Sequence, residues 1–320
     1  MLSRVADALY WMARNGERTE NNAHILQVQL VKMLEESGRE SVNYQDWQTV
    51  IDICGSKSEY EDDYGNLRVR KAVDYIAFSN GNSNALTNTL SYVRENARMT
   101  RDVIPNELWE VWNDLYLHSQ NKGPHTEFSF QDIHSFLRHI KTTSMTSTGI
   151  IDSMMSRELP YHFMKIGQWL ERAEKTALIM KVMLQKAKFS DCQSFSEYDG
   201  QFALRLVNGY QDYSKKFRLK DPALILQFLI SDRTFPRSIY YCIEHVKEVI
   251  WKIESEKVAH YSWRMYAALD ELIASVEAVC VQQLSFEELE MFIEDILNQC
   301  IEFGKIFSTT YYLIEADASR

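Results

Sequence analysis

The chain has 320 residues, 45% of them hydrophobic, enough to bury a large core as one big domain or two smaller ones. Its net charge is −10, shared evenly by residues 1–150 and 151–320, so no basic tail or stripe marks a nucleic-acid surface. The richest apolar run, 223–230, is interrupted by Gln227 and falls far short of the roughly 20 residues that span a bilayer.

Helical periodicity predicts segments over 3–36, 44–54, 66–79, 85–103, 105–120, 129–157, 160–188, 196–217, 222–230, 236–281 and 285–315. Residues 1–104 contain no proline, and several of the five prolines, Pro222 after Asp221 among them, look like first-turn helix positions. Residues 79–84, Ser-Asn-Gly-Asn-Ser-Asn, form the clearest loop. Ser285 and Glu288 spell a capping box, with Leu284 and Leu289 as a staple. No alternating strand pattern with hairpin turns occurs. The fold class is therefore all-α.

Cys54, Cys192, Cys242, Cys280 and Cys300 are odd in number and form no CxxC, which reads as reduced thiols in a cytoplasmic protein. The N-terminus carries no apolar signal stretch.

An internal repeat points to two tandem related halves, about 1–150 and 155–320, inside one domain spanning 1–320. Glu17-Arg18-Thr19-Glu20 matches Glu171-Arg172-Ala173-Glu174 at an offset of 154, with Ala23/Ala177, Ile25/Ile179, Val28/Val182 and Leu30/Leu184 agreeing too. Residues 79–95 match 232–248 at an offset of 153.

Two glutamates fall inside apolar stripes. On the first helix Leu2, Val5, Leu9, Met12, Ala13, Gly16 and Ala23 surround Glu20; on the helix from Pro160, Phe163, Ile166, Leu170, Ala173, Ala177 and Met180 surround Glu174. A buried carboxylate needs a donor or a raised pKa. Arg98, Arg101 and Arg237 are candidate donors, and Gly16 and Gly167 leave bare helix surface where a neighbour can come close. A second, polar face of the first helix holds Asp7, Tyr10, Arg14, Glu17 and Asn21 within roughly 80° of one another. Its plain reading is a solvated face.

Motifs for chemistry are missing. There is no GxGxxG, Walker loop, GxSxG or HExxH, and the Glu-x-x-His pairs of a di-iron bundle do not occur. No metal site and no cofactor is expected. Residues 232–238 offer one lead. Asp232, Pro236, Arg237 and Ser238 sit at an expected helix start, where free N–H groups would cradle a small anion or carboxylate.

Met-Leu-Ser-Arg-Val-Ala-Asp-Ala-Leu-Tyr-Trp-Met-Ala-Arg, running into Glu17-Arg18-Thr19-Glu20-Asn21, resembles the opening of the bacterial alpha-E family. Further matches are Glu95-Asn96-Ala97-Arg98, Asn106-Glu107-Leu108-Trp109-Glu110, Asn113-Asp114-Leu115-Tyr116, the second Glu171-Arg172 motif and Phe235-Pro236-Arg237-Ser238. Gly16 departs from the family's usual apolar residue, and residues 79–85 lack the Asp and Pro the family shows there.

The resemblance implies an all-helical fold and a role beside ATP-grasp-type peptide or amide ligases, often with transglutaminase-like peptidases. A non-catalytic partner that helps hold a peptide or amino-acid substrate is the leading expectation. Its rivals are an enzyme using the Glu/Arg cluster and a purely structural dimeric bundle. The candidate residues are Arg14, Glu17, Arg18, Glu20, Asn21, Glu171, Arg172, Glu174, Asp232, Pro236, Arg237 and Ser238.

Overall fold

A computed structural model describes residues 2–36, 44–120, 129–188 and 194–311. Pro124, His125, Cys192 and the end of the segment read as 285–315 lie outside them. Among the described residues all regular structure is helical. The order is α1 (Ser3–Glu36), α2 (Tyr44–Cys54), α3 (Lys57–Tyr64), α4 (Val69–Ala77), α5 (Leu86–Met99), α6 (Asn106–Gln120), α7 (Phe130–Met154), α8 (Leu159–Lys188), α9 (Glu197–Leu206), α10 (Tyr210–Lys216), α11 (Pro222–Ser231), α12 (Ile239–Ile253), α13 (Trp263–Ala278) and α14 (Phe286–Thr310), with a 3-10 turn at Val281–Gln283. No described helix is long and apolar enough to cross a membrane.

The chain divides into two compact units, one running to Gly167 and one starting at Gln168. In the first, α1 is the central rod. It packs against α5, α7, α2 and α4, so little of its circumference is left for solvent. Leu9, Ala23, Ile25 and Leu26 on α1 are fully buried, as are Trp47 and Ile51 on α2, Tyr75 and Ile76 on α4 and Leu108 on α6. Lys32 of α1 and Asp46 of α2 form a buried ion pair inside this core.

In the second unit, α11 packs on α9, α12 and the 3-10 turn, and α13 bridges α12 and α14. The buried stripe of α8 includes Leu170, Ala173, Ala177, Met180 and Leu184. Along its flank Lys181 and Lys188 pair with Glu294 and Glu290 of α14, both at 2.8 Å.

Capping chemistry sets several boundaries. Asp221 accepts from the Leu224 N–H at 2.9 Å, with Pro222 at the first helical position. Ser285 and Glu288 close the expected capping box, and Ser129 with Asp132 and Ser196 with Asp199 form two more.

Three predicted segments need correction. Residues 66–79 hold only the nine residues of α4, and the preceding α3 is a helix that apolar periodicity could not show, since Tyr60 is its one buried residue. The segment 196–217 breaks where Asn208 takes a left-handed φ of 57° before Gly209. The segment 236–281 starts late, at Ile239, and breaks where Ser255 and Glu256 are left-handed, with φ of 55° and 62°. Glu254 organises that break. Its carboxylate accepts the Ser262 hydroxyl at 2.7 Å, the Ala259 N–H at 3.3 Å and the Tyr311 hydroxyl at 3.1 Å.

Candidate functional site

The two Glu-Arg motifs lie on the long helices α1 and α8. Their first glutamates are the deeper ones: Glu17 is 4% exposed and Glu171 3%, against 9% for Glu20, while Glu174 is half-buried. The apolar stripes had pointed to Glu20 and Glu174. The reason for the shift is that α1 has neighbours on several sides, so its buried arc is wider than its apolar stripe.

The polar face of α1 is corrected by the same packing. Tyr10, Arg14, Glu17 and Asn21 are all buried rather than solvated, and Asp7 is half-buried. Arg14 donates to the Tyr10 hydroxyl at 3.1 Å and lies over the Tyr10 and Trp11 rings. Burial pushes the Asp7 carboxyl up from its ordinary 3.8 to about 6, against the opposing effect of a hydrogen bond from Trp11.

The motif arginines hold turns. In the first unit the Arg18 guanidinium donates to the Asn84 side-chain oxygen at 3.1 Å, and the Asn22 amide donates to the Asn84 carbonyl at 2.9 Å. Asn84 belongs to the turn that leads into α5. In the second unit Arg172 donates to the Pro236 carbonyl at 3.4 Å, and the Thr176 hydroxyl donates to the Arg237 carbonyl at 2.8 Å. Pro236 and Arg237 belong to the turn that leads into α12. Asn22 and Thr176 are equivalent at the offset of 154, and Asn84 and Arg237 at 153. Equivalent positions thus make the same kind of bond in both units. Deeper in the first unit, the Thr19 hydroxyl lies 2.7 Å from the Asn15 carbonyl and shares a 2.8 Å hydrogen bond with the Thr89 hydroxyl, tying α1 to α5.

The helix-start reading of 232–238 is corrected. Pro236 sits in a turn before the helix, and the N-cap is Ser238, which accepts from the Tyr241 N–H at 3.1 Å. Asp232 accepts from the N–H groups of Thr234 at 2.9 Å and Phe235 at 2.8 Å, so the donors expected to cradle an anion are spent on a carboxylate of the chain. Burial raises the Asp232 carboxyl, but the Lys216 ammonium, these N–H groups and the Thr234 hydroxyl together hold it below the ordinary aspartate value. Arg237 is half-buried. Of the residues considered as donors to the glutamates, Arg98 pairs with Glu95 instead, and Arg101 lies over the Trp109 ring.

Gly16 and Gly167 do admit close neighbours. The Trp112 indole packs over Gly16, and a Cβ on Gly167 would stand 2.5 Å from the Tyr10 carbonyl oxygen. No cluster of three or more metal-ligating side chains occurs among the described residues. Among the described residues, Cys54, Cys242 and Cys300 are buried and Cys280 is exposed.

Two aromatic groups escaped sequence reasoning. In the second unit Trp169, Tyr241 and His245 pack together under Arg172, whose guanidinium lies 4.7 Å from the Trp169 ring centre. In the first, Arg94 lies over Trp109 and Tyr116. The seven-residue spacing of Trp109 and Tyr116 on one helix face was the available signal.

Fold and motifs define an all-helical domain organised around two Glu-Arg helices. The chain belongs to the Alpha-E family, described as a predicted alpha-helical domain with a conserved ER motif, whose model matches residues 1–312. No curated protein and no solved structure matches the chain.

Proposed function

We propose that this protein is a non-catalytic helical partner of an ATP-grasp-type peptide or amide ligase, acting in the cytoplasm of a bacterium and helping to hold the ligase's peptide or amino-acid substrate. The observation that carries the non-catalytic part is the use made of the motif arginines. Arg18 and Arg172 spend donors on the turns before α5 and α12, and Asn22 and Thr176 reinforce the same turns one helical turn later. Groups committed to internal hydrogen bonds are positioned to build a scaffold. The tie to a ligase follows from the resemblance, and the matching clasps support an origin of the halves by duplication.

Affinity purification from the native host tests the partnership. A ligase recovered in stoichiometric amount, and retained by a variant carrying Arg172→Lys, supports it. A protein that elutes alone at native expression level contradicts it.

A further inference from the structure

At the bend between α12 and α13 the second unit turns large apolar side chains toward solvent. Tyr261 and Trp263 are 64% and 62% exposed, Val258 and Trp251 53% and 40%. The bend is pinned from inside. The Glu254 carboxylate accepts the Ala259 N–H at 3.3 Å and the hydroxyl of the fully buried Ser262 at 2.7 Å, and the Glu256 N–H closes onto the Trp251 carbonyl at 2.9 Å. With Ala259 and Ser262 drawn inward, Val258, Tyr261 and Trp263 are left outside. Trp251 stands edge-on to the buried Tyr266, their ring centres 6.3 Å apart. Left-handed Ser255 and Glu256 hold a backbone conformation that is uncommon for residues with a Cβ and persists where its surroundings determine it.

Cations frame these side chains. Residues 249–269 contain exposed Lys252, Lys257 and Arg264 against two acids: Glu254, half-buried and turned to its internal donors, and exposed Glu256. The end of α14 reaches the bend through the bond from Tyr311 to Glu254, and over residues 303–311 it adds no acid and one cation, Lys305, paired with Glu302. Glu248 lies a turn back along α12, and Asp270 pairs with Lys247 at 2.7 Å. The bend is thus a cationic end on a chain of net charge −10. Tryptophan and tyrosine bordered by lysine and arginine match the boundary between lipid headgroups and acyl chains, where an amphipathic ring and a cation are both satisfied. At about 200 Å² for a fully exposed aromatic residue, the three rings leave roughly 330 Å² open, well below the ~800 Å² that each partner buries in a stable protein interface. A bilayer needs less apolar area, because headgroup attraction adds to it.

We infer that the α12–α13 bend is a docking surface for the anionic face of a lipid bilayer. Val258, Tyr261 and Trp263 enter the headgroup boundary, and Lys252, Lys257 and Arg264 meet the phosphates. The acidity of the rest of the chain is repelled by the same surface, which orients the bend toward it. Binding of this kind is peripheral and needs no spanning helix. The inference does not rest on the ligase reading, since the bend uses none of the Glu-Arg residues.

The test is co-sedimentation of the full-length protein with vesicles of phosphatidylglycerol and phosphatidylethanolamine, against vesicles of phosphatidylcholine alone. The wild type should sediment with the anionic vesicles, less so as salt rises, and its tryptophan emission should shift to the blue. Tyr261→Ser/Trp263→Ser should weaken partitioning about tenfold or more without lowering the melting temperature, because both side chains are exposed. Lys257→Ala/Arg264→Ala should cost about fivefold per cation and remove most of the preference for anionic lipid. Met291→Ser, at an exposed residue about 30 Å along α14 from Tyr311, should partition like the wild type. Absence of the wild type from the anionic pellet, or equal partitioning by the aromatic double variant, overturns the inference. So does a wild type that ignores vesicles but self-associates in light scattering while the aromatic double variant is monomeric, which would make the bend a contact between copies of the chain.

Discussion

Two glycines of the first unit, given the same substitution, should move stability in opposite directions. Gly149 is exposed on α7, and a Cβ there would meet nothing within 4 Å. Gly149→Ala should stabilise by about 1 kcal/mol, the helix-propensity difference between the two residues. At Gly167 the same Cβ would stand 2.5 Å from the backbone oxygen of Tyr10. An ordinary C···O contact is about 3.3 Å, so α8 and α1 would have to separate by roughly 0.8 Å. Overpacking of this kind costs about 1–3 kcal/mol, toward the upper end when the obstacle is backbone. After the propensity gain is subtracted, Gly167→Ala should lose about 2 kcal/mol, leaving the two variants about 3 kcal/mol apart. Both sites belong to one compact unit, so one urea unfolding transition, followed by far-UV circular dichroism, reads both. A Gly167→Ala protein as stable as the wild type would refute the close approach of Gly167 to the Tyr10 carbonyl.

Further outcomes follow from other parts of the first and second units. The folded Asp7 carboxyl titrates near 6, above its ordinary 3.8, so between about pH 4 and 6 the folded chain holds a proton that the unfolded chain has lost. Stability should therefore fall as pH rises through that window; Asp7→Asn should remove the slope and raise stability at pH 7 by about 1–2 kcal/mol, the full shift being discounted for partial exposure. An unchanged slope in that variant would assign the titration elsewhere. Asp46→Ala removes the carboxylate from the buried Lys32–Asp46 pair and should cost about 3–5 kcal/mol in urea unfolding; a loss below about 1 kcal/mol would contradict a buried pair. Ser285→Ala removes the cap of α14 and should cost about 1 kcal/mol, visible as faster amide exchange in its first turn.

Periodicity and capping residues made much of the fold legible. The spans of α1 and α2 and the start of α11 follow from the sequence, because their stripes are long or their caps explicit. What stayed hidden depends on tertiary context. The Lys57–Tyr64 helix buries one tyrosine and has no stripe to read. The break at left-handed Asn208 was signalled by the Asn208-Gly209 pair and was overlooked, whereas the break at left-handed Ser255 and Glu256 falls on a pair that gives a weaker turn signal. At the site, the two Glu-Arg motifs were visible as a repeat; Glu20 is buried as its stripe indicated, but Glu174 is only half-buried and the greater depth of Glu17 and Glu171 was not seen. A sequence stripe shows where one neighbour packs, whereas α1 has several. The turn at 232–238 contained the right residues in the wrong roles: Asp232 claims the N–H groups and Ser238, not Pro236, begins the helix.

The claim of a non-catalytic ligase partner is tested most directly by reconstitution. The purified chain and its cognate ATP-grasp-type ligase would be assayed for ADP release and amide formation, separately and together, with ATP and amino acids. The account predicts no turnover by the chain alone and stimulated amide formation by the mixture. ATP hydrolysis by the pure chain, abolished by Glu171→Ala in a protein that still folds, would contradict it and make the Glu-Arg helices catalytic.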